Sequence, residues 1–105
     1  MSENGHHPDH EAALRWAGDE GRLLPGEDPR SAHVEDALHW VKVYVELLRL
    51  KAEMIGETER ERGRVPEQGQ IEVELDLELL RVQSERLDKR LEFWRQRGLE
   101  LDGKP

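Results

Sequence analysis

The chain has 105 residues, of which 35% are hydrophobic and 38% charged, and its formal net charge at pH 7 is −8. This length fits one domain at most, and the lack of cysteine excludes disulfides, thiolate metal sites and cysteine nucleophiles. No apolar run approaches the roughly 18 residues of a transmembrane helix, and the polar first ten residues do not resemble a signal peptide. Because an acidic chain is repelled by nucleic acid and by anionic membranes, we expect neither as a partner, and a cytoplasmic location by default.

Residues 1–28 are predicted to form a polar tail, a short helix and a loop. Pro8 suits the first helical position, acidic residues follow it in the first turn, and Gly18 is expected to end the helix. A helix of about ten residues is not stable alone, so it must dock onto another element. The Gly-, Pro- and acid-rich loop that follows contains Leu23 and Leu24, which are expected to pin it. The net charge of this segment is −5, from seven acids and two bases.

Residues 29–98 are predicted to form a helical hairpin. Asp28 followed by Pro29 is typical of a helix start, and nothing breaks the first long helix before Gly63. The second helix is predicted at about 70–97, before Gly98 and a tail at 99–105. Apolar and acidic residues alternate at the beginning of this second helix, as in a strand. We favour helix because Leu and Glu are helix formers, although the alternation leaves residues 70–76 open between helix and extended chain.

Two heptad stripes predict the register of this hairpin. Their members alternate three and four residues apart, and they pair so that each pair of positions adds up to 132, with a mirror point at Pro66. The stripes are Leu38, Val41, Val45, Leu48, Ala52 and Ile55, and Leu77, Leu80, Ser84, Leu87, Leu91 and Trp94. The fold class is therefore all-α: a short N-terminal helix and a long, coiled-coil-like antiparallel hairpin.

A second apolar group lies about 140° around each helix from its stripe, and antiparallel pairing places both groups on one side of the hairpin, which we call the front face. Its members are Trp40, Val43, Leu47, Leu50, Met54, Leu75, Leu79 and Val82. Such a patch marks an interface, and the core of a lone hairpin is thin. We expect a homodimer that forms a four-helix bundle through this face. A helix of another protein is the other partner considered, and a monomer whose front face is covered by the N-terminal helix and its loop is the alternative.

Four further clusters of residues stand out in the sequence. The aromatic residues map to the open end of the hairpin, where a packed cap that includes the N-terminal helix is favoured over a ligand pocket. The bases of the second long helix balance an acidic run at its start, in line with the helix dipole. Asp36 and His39 have the spacing of a ferritin-like ligand pair but point toward the polar side. The aromatic residues are Trp16, Trp40, Tyr44, Phe93 and Trp94; the bases are Arg81, Arg86, Lys89, Arg90, Arg95 and Arg97; a histidine-rich tail holds His6, His7, Asp9 and His10.

These patterns predict a non-enzymatic protein–protein interaction or scaffold module that self-associates. No catalytic, cofactor-binding or metal-binding residue is predicted, because no serine, histidine and acid can be placed together and no glycine-rich phosphate loop occurs. We therefore expect no cofactor. The alternative is a metal-binding, ferritin-like helical oligomer that uses a carboxylate and histidine site at Asp36 and His39.

Overall fold

The computed structural model describes residues 8–103, which form three helices. Helix α1 spans Pro8–Ala17, α2 spans Val34–Arg62 and α3 spans Glu67–Asp102. Helices α2 and α3 pack antiparallel, and α1 packs against α3. The molecule measures 62 × 27 × 18 Å, so it is a narrow rod, and the predicted all-α hairpin is confirmed. Among the described helices, none is both long and apolar enough to cross a membrane.

Helix α1 begins and ends at the predicted residues. Pro8 opens it, and Gly18 follows its last residue, where the Gly18 N–H donates to the Leu14 carbonyl at 3.0 Å. A Cβ added at Gly18 would lie 3.1 Å from Cγ1 of Val82 on α3. Glycine therefore lets the chain come close to α3 as it leaves the helix.

Helix α2 begins at Val34, five residues later than predicted. Asp28 does not cap a helix; its Oδ1 accepts the N–H of Arg30 at 3.0 Å and closes a turn. Ser31 then bridges to the true helix start, because its Oγ accepts the N–H of His33 at 3.2 Å and donates to Asp36 at 2.5 Å. The Asp-Pro pair thus starts a turn, a use that its residue types also favour.

Helix α3 is longer than predicted at both ends. It begins at Glu67, so the strand-like alternation near its start lies on a helix. The turn before it is held by the Gln70 amide, which donates to the carbonyls of Arg62 at 2.9 Å and Val65 at 3.0 Å. The helix also continues through Gly98 to Asp102, and the predicted tail from residue 99 is wrong. Gly98 packs against Ala37, where a Cβ would meet the Ala37 Cβ at 3.5 Å, and this packing supports the helix past the glycine.

The register of the hairpin differs slightly from the predicted one. Trp40 stacks on Trp94 with ring centroids 6.5 Å apart, and Lys51 Nζ donates to Gln83 Oε1 at 2.7 Å. Both pairs of positions add up to 134 rather than 132. The mirror point therefore moves by one residue, from position 66 to position 67.

The apolar seam is as predicted on α3 but rotated on α2. The apolar members of the α3 stripe are buried. On α2, Ala37 and Tyr44 are fully buried, whereas the predicted stripe residues Leu38 and Val45 are 55% and 39% exposed. The seam shifts because the segment from α1 to Glu27 packs on the front side, so the core lies between three chain segments instead of two.

Candidate interaction surface and the buried carboxylate beside it

A buried carboxylate holds the N-terminal segment to the hairpin. Both oxygens of Glu27 are fully used, although the loop around it has no regular structure. Oε1 accepts the Tyr44 hydroxyl at 2.6 Å and the Leu24 N–H at 2.9 Å. Oε2 accepts Arg90 Nη2 and Trp94 Nε1, each at 2.7 Å. The loop is therefore pinned by Glu27 as well as by Leu24, which packs against the core.

These contacts set the protonation states in the cluster. Burial by itself raises the pKa of the Glu27 carboxyl, but its hydrogen bonds to Tyr44, Arg90, Leu24 and Trp94 outweigh burial and lower the pKa below its ordinary value. Burial and the bond to Glu27 raise the pKa of Tyr44 to about 12, so the phenol remains a donor at neutral pH. A carboxylate with every acceptor position occupied has no free lone pair for a substrate proton, and this site is suited to stabilising the fold.

The acid stability of the protein is expected to depend on Glu27. Because the folded-state pKa of this carboxyl is lowered from 4.5, its contribution is present above that value and is lost as pH falls through the folded-state pKa. Urea unfolding between neutral and acid pH should show a loss of unfolding free energy that is smaller in Glu27→Gln. Glu20→Gln, which changes an exposed carboxylate, should keep the wild-type slope. Parallel curves for wild type and Glu27→Gln would contradict this assignment.

Opposite charges attach the rest of the N-terminal segment to α3. Lys89 pairs with Glu20 at 3.0 Å, and Glu78 lies 3.0 Å from His10 Nε2. Arginines 86 and 97 donate to the backbone carbonyls of residues 22 and 31 at 3.2 and 3.1 Å. The −5 charge of residues 1–28 and the bases of α3 are both visible in the sequence and are complementary in sign. That complementarity is the signal that could have located the contact.

Four of the five aromatic residues form the predicted cap at the open end. Trp40, Tyr44 and Phe93 surround the buried Trp94, with ring centroids between 5.1 and 6.5 Å apart along the cluster. Trp16 does not join them. Its ring is 58% exposed and carries the Arg22 guanidinium 3.4 Å from its centroid. The expected inclusion of Trp16 and the N-terminal helix in the cap is wrong, because α1 lies along the middle of α3, beside Glu78 and Val82.

The front face is partly covered and is divided by polar residues. Leu50 and Met54 are exposed, and the other six predicted interface residues are half-buried. Between the apolar residues of α2 and those of α3 run Lys51, Gln83 and Arg86. Burial and the nearby Arg86 charge lower the pKa of Lys51, which indicates two cations close together there. The flat apolar face that the sequence suggests therefore has a polar midline.

The opposite side of the hairpin, which we call the back face, exposes apolar residues of the α2 stripe and polar residues of α3. Leu38 and Val45 belong to it, and Leu99 of α3, which is 68% exposed, lines a groove together with Leu38. A groove of about 530 Å³ at the open end is lined by Leu38, Val41, Leu99, Arg95 and Asp102 among others. A second depression of about 460 Å³ follows, lined by Leu48, Ile55, Arg81, Ser84, Glu85 and Asp88. In the described part of the chain, no other segment covers this strip along the hairpin.

The candidate metal ligands do not form a cluster. Asp36 is engaged by the Ser31 hydroxyl, and the His39 ring meets Trp40 edge-on with centroids 4.8 Å apart. His10 lies beside Glu78, while His6 and His7 lie outside the described residues. Within residues 8–103, no three histidine or carboxylate side chains are grouped so that they could hold an ion.

Comparison of the chain with protein-family models, with curated proteins and with solved structures gives no match.

Proposed function

We propose that the protein is a non-enzymatic helical interaction module that assembles with a second copy of itself. The observation that carries this proposal is the row of exposed apolar side chains on the hairpin. Leu38 and Leu99 line one groove and are 55% and 68% exposed, and Val45, two turns further along the α2 stripe, is 39% exposed. Contiguous exposed apolar surface of this kind marks an interaction site.

Self-association is supported by the shape of the hairpin. Among residues 8–103, no third layer covers α2 on the back side of this rod, which is 18 Å thick in its smallest dimension. Each square ångström of apolar surface removed from water contributes about 25 cal/mol. A second hairpin is the simplest closed solution, since two hairpins make a four-helix bundle.

The non-enzymatic part of the proposal is supported by the use of the titratable groups. Glu27 and Tyr44 have clearly shifted pKa values and are buried, the combination that often marks a catalytic site. Here, however, each is bonded to other side chains of the same cluster and joins the loop to the hairpin. The shifted pKa values of Glu27 and Tyr44 are therefore explained by burial and by hydrogen bonds that stabilise the fold.

Sedimentation equilibrium over a wide concentration range tests the proposal. We expect the mass to approach twice the 12.3 kDa of one chain as concentration rises, with a chelator present or absent. A mass of one chain at every concentration would contradict the proposal. A dimer that dissociates on chelation, reassembles with iron or zinc and is lost in His39→Ala would favour the metal-binding alternative.

A further inference from the structure

We propose that the second copy docks on the back face, with α2 antiparallel to α2 of the other copy. This inference rests on the proposed self-association and names the surface that performs it. The front face, from which dimerisation was predicted, lies on the other side of the hairpin. The spacing of apolar residues, the shape of the surface and its charges each support docking on the back face independently.

The α2 part of the back face is complementary to itself. Leu38, Val41, Val45 and Leu48 are spaced three, four and three residues apart in turn, which is the spacing of core positions in a coiled coil. In antiparallel pairing, Leu38 is level with Leu48 of the second copy and Val41 with Val45. Both pairs of positions add up to 86, so one twofold axis near position 43 maps this row onto itself.

The same axis fixes the level of α3 against α3 of the second copy. Residues at the same height on α2 and α3 of one hairpin have positions that add up to a nearly constant number. The sum is 134 for Trp40 and Trp94 and 135 for Ala37 and Gly98. If the paired α2 positions of the two copies add up to 86, a residue on α3 and a residue on α3 of the second copy lie at the same height when their positions add up to about 183. On α2, exposed Val45 lies about 100° around the helix from buried Tyr44. The exposed side and the buried side of α2 are therefore roughly at right angles. Two hairpins that pair through α2 then form a bundle with a square cross-section, in which the two α3 helices are neighbours.

Leu99 has a complementary depression at that level. Among the residues whose exposure is described, it is the most exposed large apolar side chain, at 68%. Its position and that of Ser84 add up to 183. Ser84 lines the 460 Å³ depression together with Leu48 and Ile55. Serine is small there, so it leaves room for a leucine from the second copy, as a knob enters a hole between packed helices.

The charged residues of α3 are also complementary across the axis. Arg95 is level with Asp88 of the second copy, and Arg81 with Asp102, since each pair adds up to 183. Arg95, Asp88 and Asp102 make no ion pair with another described residue of their own chain, whereas Arg81 pairs with Glu59 at 2.8 Å. The twofold repeats both contacts, which gives four ion pairs at the rim.

Like charges approach each other at two places near the axis. Lys42 would face Lys42 of the second copy, and Glu92 would face Glu92. All four side chains are exposed, so solvent screens them and their flexible stems can separate. On the front face, by contrast, Lys51 and Arg86 lie in the partly buried midline, where screening is weaker.

Charge exchange between two variants tests this arrangement. Arg95→Asp alone and Asp88→Arg alone should each weaken dimerisation by on the order of tenfold, because each replaces two attractive contacts with repulsive ones. An equimolar mixture of the two variants should recover wild-type affinity, since both rim contacts between unlike chains are then attractive. Failure of the mixture to recover would overturn the proposed register. Sedimentation of the mixture, with one variant carrying a fluorescent label, measures the result.

Two glutamate substitutions distinguish the faces. Val45→Glu on the back face should give a monomer, whereas Leu50→Glu on the front face should leave the dimer intact. Both wild-type side chains are similarly exposed within one chain, and circular dichroism checks that both variants retain their helices. A wild-type dimer that is broken by Leu50→Glu and not by Val45→Glu would overturn this inference while self-association stands. A wild-type monomer would overturn the proposed function itself.

Discussion

Replacing Glu27 by alanine is expected to lower the free energy of unfolding by about 3–5 kcal/mol, the cost of removing one partner from a buried ion pair. The substitution removes the acceptor of four hydrogen bonds and leaves the Arg90 guanidinium buried beside an empty space. The Tyr44 hydroxyl and the Trp94 indole lose their partner as well. Urea titration followed by circular dichroism measures the change.

Glu20→Ala is the matched control for this substitution. It also removes a carboxylate that pairs with a base of α3, but Glu20 and Lys89 are both more than half exposed. Exposed pairs contribute about 0–1 kcal/mol, so we expect little change in stability. If the two substitutions cost the same, Glu27 does not anchor the loop. Faster amide exchange in residues 18–33 of Glu27→Ala would show that the loop is the part released first.

The parts of the fold that local sequence signals determine were predicted well. Helix α1 has a proline at its start and a glycine after its end, and both ends are as predicted. The apolar stripe of α3, from Leu77 to Trp94, is buried because α3 is contacted on two sides. Hydrophobic periodicity predicts the buried side of such a helix well, because most of its apolar residues contact other parts of the protein.

The rotation of α2 and the anchoring of the loop depend on contacts distant in sequence. Glu27 is one of 24 acids in the chain and stands in a loop rich in glycine and proline. It meets Arg90 and Trp94 across 63 and 67 positions. Nothing in its neighbours along the chain distinguishes it from a solvated acid. Because the loop packs over Tyr44, the buried side of α2 includes Tyr44 and no longer includes Val45.

The predicted front face illustrates a related limit. Helical geometry groups Leu47 and Leu79 on one side, but it gives no weight to the polar residues between the two rows. Lys51 and Gln83 join across that line at 2.7 Å. Whether an apolar group forms a continuous surface depends on what separates its members after the helices pack. A pattern read along one helix at a time does not contain that information.

Replacing Trp94 by alanine is expected to lower the free energy of unfolding by about 3–5 kcal/mol, as for other buried large-to-small substitutions of aromatic residues. Trp94 is fully buried. It stacks on Trp40, meets Phe93 edge-on at 5.1 Å and donates to Glu27 at 2.7 Å. Trp94→Phe keeps much of the apolar volume but removes the donor, and we expect an intermediate cost of about 1–3 kcal/mol.

Trp16→Ala provides the comparison within the same chain. The Trp16 ring is 58% exposed, and its contact with the Arg22 guanidinium is of a kind that contributes about 0.5–1 kcal/mol at exposed sites. Chemical unfolding of the three variants should therefore rank Trp94→Ala as the least stable, then Trp94→Phe, with Trp16→Ala close to wild type. A loss in Trp16→Ala as large as that in Trp94→Ala would mean that the ring of α1 belongs to the aromatic cap, as the sequence alone suggested.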